Sequence, residues 1–557
     1  MRGLRVVCVV LAGICLLGLF SKEDSDTDFW WHLKTGQYLL EQKQPPDPDP
    51  FAFTTALKPP ATAGEAQVRR FNLTHEWLAQ IPMYLFYRAG GIAAVVFARA
   101  ALLAAMCGMV GWLAWRRSGN EYAGIAAAFA SSSVAAIFAA DRPALVTFFF
   151  VSLFLAILDQ RKYLWALPPL LLLWANMHGG FFLGWLILAA YSVDAWFTKD
   201  KDRKRLWMIS AIAVLGSGLN PNGFNVIGTL LLYRQSALTS TLIEWQRPYL
   251  WGPPYAFDIL LYSAAAVLVV SWKKVRWADW ILFIAFAAAA LLAFRNIILI
   301  AIFSPVLVAA YWTWPLKIPR VIYQWATPVV LLIGLGWGIS QGSFFEFRSA
   351  AWALPDGAAN YLRDHRPAGP IFNTYEYGGY LIWRLAPQSK VFIDGRSLSE
   401  TVYSDYRKIL YNENAPPMQL SGPRAQLLDQ YSVQTVVMNG LEYVTGYSYP
   451  LAFALGNPAS TDWQLVYDDA HALIFQKNPP PGTQVYPNKA LRVVNHMDAE
   501  CAAHIEHAPE QPMCARQLAD LWLRTGDPAR AKKMLGIYLA HISGDRAAEQ
   551  KFLELSR

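Results

Sequence analysis

Residues 92–115 read IAAVVFARAALLAAMCGMVGWLAW, an apolar run of the length that an α-helix needs to cross a bilayer. Similar runs of about 15 to 24 residues recur from the N-terminus to about residue 340 and then become rare. The 557-residue chain is 55% hydrophobic and 16% charged, whereas soluble proteins carry about a quarter charged residues. This excludes a disordered chain and an ordinary soluble enzyme, and it predicts a polytopic α-helical membrane protein with a soluble C-terminal part.

The apolar runs predict about eleven spans. The first, 6–21, is interpreted as a retained span and not a signal peptide, because no A-x-A-like cleavage site precedes the acidic stretch 22–26. The other spans are predicted near 92–115, 121–139, 144–158, 163–176, 179–197, 206–219, 255–272, 277–294, 296–313 and 321–340.

Basic residues indicate the orientation of these spans. Every second connection is basic, namely 116–117, 161–162, 199–205, 273–276 and 317–320. Cytoplasmic loops carry such an excess, so the N-terminus is predicted inside the cell, with 22–91 and 341–557 outside. The net charge of +8 is then explained by cytoplasmic loops, and no nucleic-acid partner is expected.

The domain prediction has three parts: a transmembrane domain at 1–344 with an outer loop at 22–91, an extracytoplasmic α/β domain at 345–480, and a helical tail at 487–557. In the α/β domain, strands are predicted at 370–373, 391–393 and 434–438, with a hairpin formed by 463–467 and 472–476. Helices are predicted near 356–365, 378–385, 400–412 and 423–431. Neither a G-x-G-x-x-G motif nor a P-loop is present, so nucleotide binding has no support. A turn held by an Asp394–Arg396 pair is favoured over a functional loop.

The tail contains one segment, 518–531, that resembles a tetratricopeptide (TPR) unit. A single unit cannot bury its apolar face alone, so the tail is predicted either to bind a protein partner or to cap the α/β domain. Cys501 and Cys514 lie in this tail and can pair if it faces an oxidising compartment.

The outer loop carries the acidic residues that suggest chemistry. Segments 29–41 and 76–88 are predicted as amphipathic helices at the membrane surface, separated by a proline-rich turn at 45–51. Asp26 and Asp28 precede the first helix. One of them can act as a general base toward a hydroxyl, and the pair can share a divalent cation. The alternative is a solvated acidic loop, which is favoured for Glu23 and Asp24.

Several motifs, in order, resemble bacterial membrane glycosyltransferases of the GT-C superfamily over about 26–480. Those of the outer loop are Asp26-x-Asp28-x-Trp30-Trp31-His32-Leu33-x-x-Gly36, Asp49-Pro50-Phe51 and His75-Glu76-Trp77-Leu78. The later ones are Arg142-Pro143, Trp174-x-Asn176-x-His178-Gly179-Gly180, Asn220-Pro221-x-Gly223, Glu244-Trp245, Arg295-Asn296, Asn373-x-Tyr375-x-Tyr377-Gly378-Gly379-Tyr380-Leu381 and Phe392-Ile393-Asp394-Gly395-Arg396.

The resemblance implies transfer of a sugar from a polyprenyl-phosphate donor to an acceptor outside the cytoplasm, in the bacterial cytoplasmic membrane. It also implies an acidic catalytic residue in the first outer loop, which maps to Asp26 or Asp28. Asp28 is favoured because it is nearer the surface helix. A metal, if one is bound, is assigned to Asp26 and Asp28, and a site formed by histidine with Asp or Glu is the alternative.

Further candidates surround this loop. Arg142 and Arg295 are predicted to bind the donor phosphate, with snorkelling or pairing to Asp141 or Glu244 as the alternative. His32, His75 and His178, the only histidines of the membrane half, can line one cavity or be satisfied structurally. Asp49 and Glu76 are reserve acids that can instead cap a turn and a helix. Glu244 completes the set of candidate substrate-binding residues.

Three functions are compared on this basis. The first is a lipid-linked sugar transferase. The second is a non-catalytic carrier-binding or assembly subunit of a surface-polysaccharide system. A solute transporter is disfavoured, because the chain lacks paired inverted halves.

Overall fold

The computed structural model describes residues 2–236, 242–312, 319–366, 369–413 and 415–557. The chain divides into two compact units. The first, here called the membrane unit, comprises Met1–Asp47 and Thr62–Ser349. The second, here called the sheet unit, comprises Pro48–Ala61 and Ala350–Arg557. Part of the predicted outer loop, 48–61, therefore belongs to the same unit as the α/β region and the tail.

The membrane unit is built from helices. Those before residue 200 are α1 (Arg2–Phe20), α2 (Phe29–Gln42), α4 (Ala63–Thr74), α5 (Trp77–Ser118), α6 (Glu121–Ala135), α7 (Ala144–Gln160), α8 (Leu167–Met177) and α9 (Phe182–Phe197), while α3 (Thr54–Leu57) lies in the sheet unit. Those after it are α10 (Arg203–Ser217), α11 (Val226–Gln235), α12 (Tyr255–Val270), α13 (Trp277–Leu292), α14 (Ile297–Tyr311) and α15 (Arg320–Ser340).

Length and composition identify a multi-pass membrane protein. Within the described ranges, six helical stretches are long and apolar enough to cross a membrane: Gly3–Phe20, Ala63–Ser118, Glu121–Phe138, Gly179–Phe197, Phe294–Tyr311 and Val321–Ser340. Shorter apolar helices are Ala144–Gln160, Leu164–Met177, Tyr255–Val270 and Trp277–Leu292. The count of about eleven spans stays a prediction.

Helix α14 forms the centre of the membrane unit. Every residue from Ile297 to Leu307 is buried. A helix that is apolar on all sides and buried on all sides must be surrounded by other helices. Helix α5 is interrupted at Gly90 and Gly91, and Gly91 adopts a φ of +63° that favours glycine.

Ion pairs join some of the predicted cytoplasmic connections to one another. Asp279 accepts from Arg117 Nη2 at 2.5 Å and from Arg276 Nη2 at 3.1 Å. Arg161 lies 3.5 Å from Asp200. These contacts bring connection 116–117 close to 273–276 and connection 161–162 close to 199–205. The orientation of the spans stays a prediction. The basic connection at 317–320 falls largely outside the described residues.

The sheet unit contains a four-stranded sheet with the order β1-β2-β4-β3. The strands are β1 (Ile371–Asn373), β2 (Thr435–Met438), β3 (Trp463–Asp468) and β4 (Leu473–Lys477). β1 pairs parallel to β2, and the hairpin strand β4 pairs antiparallel to both β2 and β3. The helices of this region are α16 (Asp356–His365), α17 (Tyr375–Leu385), α18 (Glu400–Tyr411), α19 (Gly422–Gln430) and α20 (Pro450–Gly456), of which α20 was not predicted.

The predicted strand at 391–393 is wrong. Val391 makes only an isolated bridge with Ala52. After Val391, the side chain of Asn373 takes the place of a neighbouring strand. Its Oδ1 accepts from Phe392 N at 2.9 Å, and its Nδ2 donates to Ile393 O at 2.8 Å. Hydrogen bonds to a side chain thus replace the backbone hydrogen bonds between strands that a β-strand at 391–393 would make.

The tail consists of α21 (Lys489–His507), α22 (Met513–Thr525), α23 (Pro528–His541) and α24 (Arg546–Glu554). Its buried residues, including Met497 and Trp522, share one apolar core with strand residues such as Val436. The tail therefore packs on the sheet, as the capping alternative expects. Cys501 and Cys514 form a disulfide. The TPR assignment stays a prediction.

Candidate active site

Four segments of the membrane unit bring the candidate residues together. His75 directly follows α4 and Glu76 directly precedes α5, so they lie at one helix junction. His32 lies in the first turn of α2. His178 follows α8 at the predicted break before α9. We call His32, His75, Glu76 and His178 the His–Glu cluster.

The Glu76 carboxylate is the centre of the His–Glu cluster. Its Oε1 lies 3.2 Å from His75 Nε2 and 3.6 Å from His178 Nε2. Its Oε2 lies 3.6 Å from His32 Nδ1. Glu76 makes no capping hydrogen bond to α5, so the helix-capping alternative does not account for it.

Fixed hydrogen bonds orient the three imidazoles. His75 Nδ1 lies 2.8 Å from the carbonyl oxygen of Phe71 and must donate to it. His178 Nδ1 lies 2.7 Å from Thr147 Oγ1 and accepts from Gly180 N at 3.0 Å. His32 Nδ1 lies 3.1 Å from Gln80 Nε2. Burial lowers the pKa of His32 to about 4 even though Glu76 acts in the opposite direction, so its imidazole is neutral at pH 7.

Two motif glycines permit this packing. A Cβ on Gly36 would lie 2.2 Å from the backbone oxygen of Gln80, so only glycine lets α2 approach α5. A Cβ on Gly180 would lie 2.6 Å from Thr147 Oγ1, against the side chain that contacts His178. Gly36 therefore lets His32 reach Gln80, and Gly180 lets His178 reach Thr147.

Arg142 lies between the two predicted catalytic acids. Its Nη2 donates to Asp26 Oδ1 at 2.7 Å, its Nε also bonds Asp26, and Nη2 lies 3.0 Å from Asp28 Oδ2. Burial would raise the pKa of Asp26, but the Arg142 guanidinium holds it below its ordinary value. Asp28 also accepts from Trp31 Nε1 at 3.2 Å. The side chain of Asp28 is 19% exposed and that of Asp26 is 5% exposed.

The position of Arg142 bears on the predicted metal pair. A cation shared by Asp26 and Asp28 would occupy the space that the guanidinium fills. With Arg142 in place, these two carboxylates do not fit a metal ion, because like charges would then be adjacent.

A second acid–arginine group lies beside the first, and sequence reasoning missed it. Arg99 Nη1 donates to Asp24 Oδ1 and to Asp141 Oδ2, each at 3.1 Å, and all three side chains are buried. Burial raises the pKa of Asp141 to about 6, although Arg99 acts in the opposite direction. The interpretation of Asp24 as a solvated acid is thus wrong. A single arginine within the apolar run 92–115 was the available signal.

The remaining candidates lie elsewhere or pair differently. Asp49 lies in the sheet unit, where Arg396 Nη1 bonds its Oδ1 at 2.6 Å and where it caps Phe51 N and Ala52 N, both at 3.1 Å. The predicted Asp394–Arg396 pair also forms, at 2.7 Å. Asp49 therefore makes the turn-capping contacts that were its alternative role.

Arg295 forms the structural pair that was its alternative role. Its Nη1 lies 3.3 Å from Glu244 Oε1, and its guanidinium lies 4.8 Å from the Trp245 ring centre. Electrostatic effects of Glu244 on Arg142 and of Arg295 on His178 place this pair near the others. By contrast, Arg142 pairs with Asp26 and Asp28 and not with its chain neighbour Asp141.

Carboxylates outnumber guanidinium groups in this region. With the neighbouring Arg295–Glu244 pair included, it contains six acids, Asp24, Asp26, Asp28, Glu76, Asp141 and Glu244, against Arg99, Arg142 and Arg295. Such an excess of buried negative charge favours the binding of protons or cations.

The fold is similar to that of known oligosaccharyltransferases. The archaeal oligosaccharyltransferase AglB from Archaeoglobus fulgidus, in complex with an inhibitory peptide and a dolichol-phosphate, matches with a TM-score of 0.54 and 12% identity, covering 87% of this chain and 75% of that chain. The Archaeoglobus fulgidus oligosaccharyltransferase in the apo form matches with a TM-score of 0.52 and 12% identity, covering 87% and 76%. No protein-family model matches the chain, and no curated protein does so significantly. At this identity the likeness shows a shared fold and no more.

Proposed function

We propose that the protein is a membrane glycosyltransferase that moves a sugar from a polyprenyl-phosphate donor to an extracytoplasmic acceptor in the cell envelope. The observation that carries the proposal is the environment of Asp28. This carboxylate is partly exposed, is held by Arg142 and Trp31, and lies in a GT-C-like fold beside the His–Glu cluster. A fixed but accessible carboxylate is what a general base requires.

The two aspartates have different roles in this proposal. Asp26 is buried and bonded through both oxygens to Arg142, so it is a positioning residue that orients the guanidinium. Asp28 accepts the proton of the acceptor hydroxyl. As the new C–O bond forms at the anomeric carbon, the bond to the donor phosphate oxygen breaks with inversion, and the polyprenyl phosphate leaves with the electron pair.

The leaving phosphate needs positive charge or hydrogen-bond donors as it gains charge. Arg142 is the most exposed guanidinium in the acid–arginine groups, with a side chain that is 39% exposed. It is the group proposed to contact the phosphate. His75 and His178 are proposed to line the same side.

Two further observations support the proposed partners and orientation. One similar structure, of AglB, is a complex with a dolichol-phosphate, which is the class of lipid phosphate proposed here. The Cys501–Cys514 disulfide is typical of an oxidising compartment, and it favours an extracytoplasmic sheet unit. The cytoplasmic N-terminus and the bacterial cytoplasmic membrane are proposed from the charge pattern and the resemblance.

Thermal stability with and without a short polyprenyl phosphate tests the donor class. A ligand that binds only the folded protein raises the unfolding midpoint. We expect a rise for the wild type that is lost in Arg142→Ala and kept in Arg88→Ala, a change at an exposed position of α5. Arg295→Ala reports whether the Glu244 pair takes part.

A cellular assay of envelope glycans with Asp28→Asn separates the second candidate function. A carrier-binding assembly subunit would show the midpoint shift and tolerate Asp28→Asn in a cellular assay of envelope glycans. A transferase would show the shift and lose glycan formation. Absence of any shift in well-folded wild-type protein would contradict both and favour a scaffold organised by the tail.

A further inference from the structure

We propose that His75 Nε2, the Glu76 carboxylate and His178 Nε2 bind one divalent transition-metal ion, for which Zn²⁺ is the test ion. The three ligand atoms all lie within 4.8 Å of one another. Two imidazoles and one carboxylate are a donor set that zinc and related ions bind in proteins. This site differs from the Asp26–Asp28 pair, which Arg142 already occupies.

The hydrogen bond of His75 provides the first argument. Because Nδ1 donates to the Phe71 carbonyl at 2.8 Å, Nε2 of the neutral ring carries a lone pair. That lone pair lies 3.2 Å from Glu76 Oε1, which is also an acceptor. Two acceptors at this distance repel unless a proton or a metal ion lies between them. A backbone carbonyl behind a histidine is also a common way of orienting a metal ligand.

His178 supplies the second nitrogen, on a condition that the structure defines. Metal binding at Nε2 requires the proton on Nδ1, which then donates to Thr147 Oγ1 at 2.7 Å. Thr147 Oγ1 also accepts from Trp174 Nε1 at 2.8 Å, and its two lone pairs suffice for both bonds. The bond from Gly180 N to Nδ1 is lost in this tautomer. Metal binding therefore selects the tautomer in which His178 Nδ1 donates to Thr147 Oγ1.

The surrounding charge and access fit a cation. The region carries three more carboxylates than guanidinium groups. The side chains of His75, Glu76 and His178 are 17%, 11% and 13% exposed, so an ion and a further ligand can reach them. His32 Nδ1 is occupied by Gln80 Nε2, which leaves a coordination position for water or an anionic oxygen. A site with three protein ligands and an open position is typical of catalytic zinc.

The role of the ion rests on the proposed function, whereas its binding does not. In a transferase with a phosphate leaving group, a cation held by the His–Glu cluster would stabilise charge on that phosphate. Arg142, which holds Asp26 and Asp28, would contact the same phosphate from its own position.

The test measures metal binding by full-length, tag-free protein in detergent, first treated with a chelator and then titrated with Zn²⁺. We expect one zinc ion per wild-type chain by elemental analysis and calorimetry, with a raised unfolding midpoint. Glu76→Gln and His178→Gln should each lower the affinity at least 100-fold. Thr147→Val should lower it about 10-fold, because it removes the acceptor for Nδ1–H.

Two controls keep the test decisive. His365→Gln, at an exposed histidine of the sheet unit, and Asp28→Asn should both bind zinc as the wild type does. Less than a tenth of an equivalent in the wild type, or unchanged affinity in both Glu76→Gln and His178→Gln, overturns the proposal. Zinc binding with an active Asp28→Asn protein would sink the proposed function alone. Zinc-free protein in which Asp28→Asn abolishes transfer would sink the metal site alone.

Discussion

Arg142 binds Asp26 through two nitrogen atoms, although 116 residues separate the two in the chain. The guanidinium also reaches Asp28, so one side chain fixes both acids of the outer-loop motif. A planar, always charged fork is suited to this arrangement, and a lysine is not. This relationship makes Asp26 a positioning residue and leaves Asp28 as the acid that a substrate can reach.

Asp28→Asn is expected to lower sugar transfer at least about 100-fold, because the amide cannot accept the hydroxyl proton. The unfolding midpoint should stay within a few degrees of the wild type. Transfer is measured from a polyprenyl-phosphate-linked sugar to envelope acceptors. Asp47→Asn, which changes an exposed acid of the same loop, is the matched control and should retain activity. Full activity of a well-folded Asp28→Asn protein would contradict the assignment.

Arg99→Met is expected to destabilise the membrane unit by about 3–5 kcal/mol, because it leaves Asp24 and Asp141 buried without their cation. Since Asp141 has a raised pKa of about 6, the loss should be smaller at pH 5, where that carboxyl is protonated, than at pH 8. Unfolding midpoints at the two pH values measure the effect. Arg88→Met lies on the same helix at an exposed position and should change little. Equal midpoints for both variants would show that the buried group is not stabilising.

His496 is expected to make the stability of the sheet unit depend on pH. Burial acts against its charge, but Asp468 at 3.1 Å and Glu500 at 3.4 Å raise the pKa of His496 to about 9. A raised folded-state pKa contributes stability that is complete below about pH 6.5 and is lost as the pH rises through 9. The shift corresponds to at most about 3 kcal/mol.

The unfolding midpoint of the wild type should therefore decrease between pH 6.5 and 9, and His496→Gln should remove this decrease. Thermal unfolding of the full chain across this range is the measurement, with His365→Gln as the control. Parallel pH profiles for the wild type and His496→Gln would refute the assigned ion pairs.

The Cys501–Cys514 disulfide joins α21 to α22 across 13 residues of sequence. Loop-closure arguments assign about 3 kcal/mol to a bridge of this span. The double variant Cys501→Ser, Cys514→Ser should lower the unfolding midpoint, and a reducing agent should lower that of the wild type but not that of the variant. The wild type also has three free cysteines, Cys8, Cys15 and Cys107, so thiol counting should rise by two on reduction. An unfolding midpoint that stays unchanged although those two thiols appear would argue against this contribution.

Local patterns predicted the elements well where one face or the whole surface of an element is apolar. The hairpin of β3 and β4, helix α2 and the break at His178 were all predicted from periodicity and turn residues. Segment 391–393 was predicted wrongly as a strand. Its apolar residues suit a strand, but its backbone hydrogen-bonds to the side chain of Asn373, which lies in another segment. Helix α20 was missed, since seven residues give too little periodicity.

For the candidate site, too, the sequence predicted some features and missed others. The outer-loop acids, the histidines and Arg142 were identified as candidates from residue type and position. Their partners were not: Asp24 was assigned to solvent, whereas it is buried and paired with Arg99. That error concerns a contact between residues far apart in sequence. The roles of Asp49 and of any metal at Asp26 and Asp28 stay predictions.

The sequence by itself determined that the chain spans a membrane through apolar helices, carries a soluble region with a small sheet, and has an acidic, aromatic loop after its first helix. Hydrophobic length and charge placement suffice for these conclusions, because bilayer thickness imposes them locally. Only the tertiary structure decided which charges pair, that segment 48–61 belongs to the sheet unit, and that Glu76 lies among three histidines. Ion pairing acts over a few ångströms between segments that packing alone brings together, so no local pattern encodes it.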